Sequence, residues 1–166
     1  SFLISGATNG SPWTVKAIQG DKLATPSLDA KPKTIWRTPL PPNTAFFVIA
    51  PPMPQGVYNN PETRLDNQRK LFEYMLLGEA SHLNSLIPLE SPPEALAEKF
   101  TFFVQNQEQG SLFTDPKLVE SLLSLRELLG HSPILVASPE GLSVRAQTMV
   151  FGPKILDSLI RFGELL

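Results

Sequence analysis

The sequence contains no cysteine and only two histidines, and this scarcity removes several kinds of chemistry. A chain without cysteine has no disulfide, no thiolate nucleophile and no cysteine-ligated metal site. The two histidines, His82 and His131, lie far apart in the chain and match neither an H-x-H nor an H-E-x-x-H spacing. The sequence therefore indicates neither a metal centre nor a cofactor.

Charged residues are also scarce, and long apolar runs are missing. Asp, Glu, Lys and Arg make up 18% of the chain, and the net charge is −2 with a pI near 5.7. This charge disfavours nucleic acid and anionic membrane surfaces as partners. No run approaches the roughly 18 apolar residues of a membrane-spanning helix.

The chain begins "SFLISG", with neither Met nor a signal-peptide pattern. We therefore interpret it as a processed chain or the soluble piece of a longer protein.

Proline, by contrast, is abundant: there are 17 prolines in 166 residues, about twice the usual share. Many of them bracket short apolar runs, and proline is excluded from central strands, so they mark strand ends, turns and edges. The length is that of one domain. We expect a single domain over residues 1–166, strand-rich over 1–55, with a helical insert at 60–97 and a strand-helix-hairpin-helix unit over 98–166.

Four strands are predicted in the first third of the chain. The stretch "WTVKAI" alternates between apolar and polar positions, whereas "AFFVIA" is apolar on both faces, which is typical of a central, covered strand. The stretch "GATNG" between the first two strands is interpreted as a hairpin turn. The four predicted strands are Phe2–Ser5, Trp13–Ile18, Thr34–Thr38 and Ala45–Ala50.

The remainder alternates helices and strands. A helix is predicted from Asn60-Pro61 to Gly78, followed by one or two short helical turns in "EASHLNSLIPLESPPEALAEK". In "EKFTFFVQNQEQGSLFTDPKLVESLLSLRELLG", a Phe-rich strand precedes a helix that begins after Asp115 and ends at Gly130. A hairpin around residues 138–141 and an amphipathic helix from Pro153 complete the chain. The order β-β-β-β-α-β-α-β-β-α predicts an α+β fold, a mostly antiparallel twisted sheet with about three helices packed on it.

Candidate catalytic groups have simpler structural explanations. His131 directly follows the predicted helix end, where an imidazole interacts favourably with the helix dipole. His82 could form an acid-base pair with Glu79, but an exposed i, i+3 pair explains this spacing as well. The segment from Thr114 to Lys117 suits a helix start better than a nucleophile. No catalytic residue is therefore assigned, and the acidic residues form no predicted pair: Glu62, Asp66, Glu73, Glu79, Glu90, Glu94 and Glu98.

Two tryptophans on early strands are the best candidates for a recognition surface. Trp13 and Trp36 are followed by proline-rich loops that include Pro41 and Pro52, and exposed tryptophan beside stiff extended segments suits a protein partner or an extended peptide. Large aromatic side chains are usually buried, so a purely structural role in the core is favoured for both tryptophans, and recognition is the open alternative.

The second half combines "LESPPEALAEKFTFFVQNQEQGSLFTDPKLVESLLSLRELLG" with a hairpin and a closing amphipathic helix. The first half contains "ISGATNGSPWTVKAI" and "TIWRTPLPPNTAFFVIAP". In both respects the chain resembles a soluble domain of bacterial membrane-anchored proteins to which no activity is assigned. The resemblance implies a module tethered to a membrane segment outside this chain, and it transfers no functional residue.

Three functions remain open at this point. The favoured hypothesis is a noncatalytic interaction or scaffolding domain with a protein partner, and a homo-oligomer is compatible with it. The second is a small-molecule-binding domain with an apolar pocket near the tryptophans and the Phe-rich strands. The third is an enzyme that uses His82 or converging carboxylates.

Overall fold

The computed structural model describes residues 1–18, 33–40, 45–52, 67, 85–146 and 153–165. The helix predicted at 60–78 and the pair His82 and Glu79 lie outside these ranges. The described strands are β1 Phe2–Thr8, β2 Ser11–Ile18, β3 Lys33–Thr38, β4 Phe47–Ala50, β5 Ile87–Pro88, β6 Thr101–Val104, β7 Ile134–Ser138 and β8 Gly141–Ala146. They form one eight-stranded sheet in the order β1-β2-β3-β8-β7-β4-β6-β5, and every neighbouring pair is antiparallel. This confirms the predicted α+β class with a mainly antiparallel sheet.

The β1–β2 hairpin is closed by the dipeptide Asn9-Gly10. Their φ angles are 50° and 82°, both in the left-handed region, as a two-residue type I′ turn requires. The predicted turn at "GATNG" is thus confirmed at its last two residues, whereas residues 6–8 extend β1. This short turn aligns Thr8 with Ser11 and thereby fixes the register of the whole hairpin.

One face of the sheet, here called the first face, carries the main core. Strand side chains on this face form one cluster with side chains from the helices of the described ranges. These helices are α1 Glu94–Ala97, a 3₁₀ helix Gln107–Thr114, α2 Pro116–Leu129 and α3 Pro153–Glu164. The cluster contains Val15, Trp36, Phe47, Ile49, Leu96, Phe100, Phe102, Val104, Phe113, Leu118, Leu122, Leu125, Leu135, Ala137, Leu142, Val144, Leu159 and Phe162.

Helix α2 has the boundaries that its sequence pattern predicts. The Asp115 carboxylate accepts a hydrogen bond from the backbone N–H of Lys117 at 2.8 Å, and Pro116 follows in the first turn. Leu118, Leu122 and Leu125 are buried, and Gly130 ends the helix with a φ of 72°. Helix caps and glycine stops are local signals, so they can be identified without knowledge of the tertiary structure.

The centre of the sheet is buried on both faces. Strand β4 lies between β7 and β6, and all four of its residues are buried, which confirms the prediction of a central, covered strand. Two elements of the structure are missing from the predicted order β-β-β-β-α-β-α-β-β-α. Ile87–Pro88 pairs with β6 as a two-residue strand inside the segment expected to be helical, and the polar stretch after β6 forms a 3₁₀ helix. Neither element is long enough to show a hydrophobic period.

Candidate functional site

The two tryptophans lie at the same cleft of the first face. Val15 pairs with Trp36 across β2 and β3, and Trp13 lies two residues before Val15, so side-chain alternation places both indoles on one face. The cleft has a volume of about 180 Å³. Its walls come from the β1–β2 hairpin, the end of β3 and the C-terminal half of α3: Thr8, Ser11, Trp13, Trp36, Thr38, Pro39, Leu40, Ile160, Gly163 and Glu164.

Trp13 is half-buried, and two contacts with β1 hold its ring in place. Its indole N–H donates to the Thr8 hydroxyl at 3.0 Å, across the hairpin. Its six-membered ring lies over Gly6 on β1, where any side chain would overlap the ring. Trp13 therefore presents a fixed aromatic surface immediately beside the outer strand of the sheet.

Trp36 belongs to the core and not to the surface. It is 2% exposed, and its ring packs so closely against Gly163 of α3 that a methyl group there would overlap it. In the part of the chain that the structure describes, no acceptor lies within hydrogen-bond distance of its indole nitrogen. The structure thus brings both predicted tryptophans together, but only Trp13 is partly accessible to a binding partner.

The polar groups around this cleft bond to one another. The Thr38 hydroxyl donates to the Pro12 carbonyl at 2.8 Å, and the Asn9 side-chain amide donates to the Glu164 carboxylate at 3.2 Å. These contacts join β3 and the end of α3 to the first hairpin. The cleft is smaller than the roughly 300–1,000 Å³ of typical small-molecule sites, so its size favours a structural seam over a ligand pocket.

A second cleft shares the Leu40 wall and is larger, at about 340 Å³. It is mainly apolar, and its one carboxylate, Asp115, is already engaged as the cap of α2. Its lining residues are Leu40, Ala45, Phe47, Ser111, Leu112, Asp115, Leu118, Ala137 and Leu165. Pro52 lines neither cleft, and Pro41 lies outside the described ranges.

The two edges of the sheet differ strongly in their exposure to new partners. Strand β5 has two residues, one of which is proline, and the Gln107 side chain covers its end by donating to the Pro88 carbonyl at 2.9 Å. Strand β1 at the other edge has seven residues, "FLISGAT", with neither charge nor proline. Leu3 and Ile4 on β1 are 66% and 44% exposed. Long uncharged edges are uncommon in stable monomers because they invite pairing with another strand.

The register shows which backbone groups of β1 point away from β2, toward the side on which no described strand lies. Thr8 and Ser11 close the two-residue turn and exchange hydrogen bonds, so Ala7 and Pro12 form the next, non-hydrogen-bonded pair. The Pro12 carbonyl accepts from Thr38 on β3, which confirms that it points away from β1. By alternation, the backbone N–H and C=O groups of Leu3, Ser5 and Ala7 point out of the sheet.

The candidate catalytic residues are not brought together within the described ranges. His131 Nδ1 lies 3.0 Å from the Leu129 carbonyl at the end of α2, the position expected for an imidazole at a helix terminus. Glu90, Glu94 and Glu98 are exposed. Among described residues, no three His, Asp or Glu side chains are grouped as a metal site would require. Other candidates lie outside these ranges: Glu62, Asp66, Glu73, Glu79 and His82.

Comparisons with family models, curated proteins and solved structures find no match to this chain. The resemblance to a domain of membrane-anchored bacterial proteins therefore stays a prediction. No helix within the described ranges is long and apolar enough to cross a membrane. The sequence missed β1 as a candidate site because strand order, and hence the identity of the edge strand, depends on long-range pairing.

Proposed function

We propose that the chain is a noncatalytic protein-interaction domain that binds an extended, uncharged polypeptide segment as an additional strand beside β1. The observation that carries this proposal is the seven-residue edge strand with exposed Leu3 and Ile4 and with neither charge nor proline. Strand addition to a sheet edge is a general mode of peptide recognition, in which backbone bonds supply affinity and side-chain pockets supply specificity.

The energetics indicate what kind of segment fits. Leu3, Ser5 and Ala7 offer six outward backbone groups, and each new hydrogen bond contributes a net ~0.5–1.5 kcal/mol. Ordering each residue of the incoming segment costs about 1–2 kcal/mol, so backbone bonding alone does not give net affinity. The remainder has to come from apolar burial on Leu3, Ile4 and the Trp13 ring. We therefore expect segments with apolar side chains and no charge.

The side-chain hydrogen bonds around the β1 edge support a recognition role. Thr8, Asn9 and Thr38 bond to groups of the same fold, and these bonds hold the hairpin rigid against β3 and α3. A rigid edge reduces the conformational entropy lost on binding, since only the incoming segment is ordered.

The proposal is tested by selecting linear peptides from a displayed library on the immobilised chain and measuring their affinity by calorimetry. The test variant is Ser5→Pro, which removes an outward N–H and leaves the bonds between β1 and β2 intact, and Ser5→Ala is its matched control. Leu3→Lys is a second test variant that keeps the backbone unchanged and adds a charge to the edge. We expect apolar peptides that bind the wild type and Ser5→Ala and bind both test variants more weakly, by about two- to tenfold for the one hydrogen bond that Ser5→Pro removes. Selected peptides that bind all four proteins equally, or a failure to select any, would overturn the proposal.

The second cleft favours small-molecule binding as the alternative function. Its volume of about 340 Å³ lies at the lower end of the range for ligand sites, and most of its lining is apolar. A fragment screen by NMR distinguishes the two proposals. Shifts confined to amides around Leu112 and Leu118 would support the alternative, whereas shifts along residues 2–8 on peptide addition support strand binding.

A further inference from the structure

We propose that a second copy of this chain occupies the outer edge of β1, where no described strand lies, with the two β1 strands antiparallel and Ser5 opposite Ser5 of the second copy. This inference rests on the proposed function and names the partner at the same edge. It joins two eight-stranded sheets into one continuous sheet across a twofold axis, the commonest symmetry of soluble homo-oligomers.

The register follows from the length of β1 and from its outward groups. In an antiparallel pair centred on Ser5, Phe2 lies opposite Thr8 of the second copy, so all seven residues of each strand overlap. Leu3 then faces Ala7, and Ser5 faces Ser5. These are the residues whose backbone groups point outward, so each forms a hydrogen-bonded pair. If the register is shifted by two residues, two residues at one end of each strand have no residue opposite them in the other copy.

The same register gives complementary side-chain rows on the first face. In the hairpin, Gly6 lies opposite Trp13 and Ile4 lies opposite Val15. Pairing the two copies places Ile4 of the second copy beside Gly6, under the edge of the Trp13 ring. The exposed Ile4 side chain thus gains an aromatic contact at the position where β1 has no side chain of its own. The twofold axis repeats this contact, so both exposed isoleucines are covered.

Charge does not oppose this pairing. The side chains of the strand are uncharged, and the Lys16 side chain on β2, opposite Leu3, lies on the other face of the sheet. In the paired sheet, Lys16 and Leu3 lie in one cross-strand row of side chains with Ala7 and Pro12 of the second copy. Lys16 therefore does not lie opposite Lys16 of the second copy. Like charges directly opposite each other destabilise strand pairs, and this register contains none on its four central strands.

The contact area of one strand pair is small. Stable interfaces usually bury about 1,200–2,000 Å² in total, whereas this contact consists of one seven-residue strand from each copy and belongs with the small, weak interfaces. We therefore expect a reversible dimer with a dissociation constant in the micromolar range.

The test uses sedimentation of the full chain over a wide concentration range, with the Ser5→Pro and Ser5→Ala variants alongside. We expect the wild type and Ser5→Ala to dimerise and Ser5→Pro to dimerise at least about tenfold more weakly, since two symmetry-related N–H groups are lost. A wild type that stays monomeric to millimolar concentration, or a dimer that Ser5→Pro leaves unchanged, would overturn the inference.

The absence of cysteine permits a direct test of register. Ser5→Cys introduces the only thiol, and hydrogen-bonded antiparallel partners have Cα atoms about 5.5 Å apart. A short bismaleimide should therefore link Ser5→Cys chains into covalent dimers in high yield. Leu3→Cys is the matched control, because its two copies would be four residues apart along the strand, about 13 Å. Equal yields from both variants would contradict the register.

The results also separate this inference from the proposed function. Peptides that depend on β1, selected on a chain that remains monomeric, would leave the proposed function standing and refute the second copy as partner. A β1-dependent dimer that peptides dissociate would support both. A dimer that forms through another surface would refute this inference, and the peptide selection would then decide the proposed function alone.

Discussion

Substitution of Gly163 by alanine tests how tightly α3 packs on the sheet. A Cβ at this position would lie 2.8 Å from Cζ2 of Trp36 and closer still to Cη2, well inside van der Waals contact. Trp36 is 2% exposed and is surrounded by the core cluster except where it lines the 180 Å³ cleft, so its ring can move only toward that cleft. Either the helix shifts outward or the indole leaves its preferred rotamer.

The expected net effect combines two opposing contributions. Overpacking a close-packed core costs about 1–3 kcal/mol, whereas replacing glycine by alanine within a helix contributes up to ~1 kcal/mol of stability. The helical contribution is smaller here because Gly163 lies next to the last residue of α3. We expect a net loss of about 1–2 kcal/mol, which for a chain of this length lowers Tm by ~2–8 °C.

The assay is urea unfolding followed by circular dichroism, with Gly110→Ala as the matched control. A Cβ at Gly110 would meet only the flexible end of Leu89, at 3.1 Å, so the same chemical change should be nearly neutral there. Combining Gly163→Ala with Trp36→Phe completes a double-mutant cycle in which the smaller ring relieves the overlap. We expect a coupling of at least ~1 kcal/mol. Equal costs in the two backgrounds, or stabilisation by Gly163→Ala alone, would refute the proposed packing.

Two further substitutions test local contacts by the same unfolding assay. Asp115→Ala removes the side-chain cap of α2 and should lower the free energy of unfolding by about 1 kcal/mol. Asp115→Ser keeps a hydrogen-bond acceptor and should lower it less. Equal decreases for the two variants would contradict the capping role. Ser132→Ala removes a buried hydroxyl that donates to the Lys99 carbonyl at 2.6 Å and accepts from Arg126 Nε at 3.1 Å. Ser132→Ala should lower the free energy of unfolding by about 1–3 kcal/mol. If this decrease is no larger than the decrease caused by Ser124→Ala on the exposed side of α2, the hydrogen bonds of Ser132 contribute no stability.

Features with a local cause could be predicted from the sequence. The Asn9-Gly10 turn, the Asp115 cap and the Gly130 helix end are specified by the residues themselves, and the structure confirms each. The apolar run at Phe47–Ala50 predicted a covered central strand because both of its faces lack polar residues. The class of the fold follows from these elements and the short connections between them.

Features with a non-local cause could not be predicted in this way. Strand order decides that β1 is an edge strand and that β4 lies between β7 and β6, and nothing in the composition of either strand specifies its neighbours. The two-residue strand Ile87–Pro88 forms because Gln107 and β6 hold it, not because of its own propensity. The contact between Gly163 and Trp36 joins residues far apart in the chain and has no sequence period.

The candidate site shows the same division between local and non-local causes. The tryptophans were identified by residue type, and the structure brings both to one cleft. Their burial differs because Trp36 lies under α3, whereas Trp13 lies over Gly6 beside the edge of the sheet.

The position of Trp13 favours the edge of the sheet as the site of recognition. Since Gly6 has no side chain, the Trp13 ring extends toward the outer edge of β1, where Ile4 is exposed. The accessible aromatic surface therefore lies beside the outward backbone groups of β1, with which no described strand pairs. A strand that pairs with β1 would contact both, whereas a ligand confined to the 180 Å³ cleft would reach neither the outward amides nor Ile4. This coincidence favours the edge over the cleft as the site of recognition.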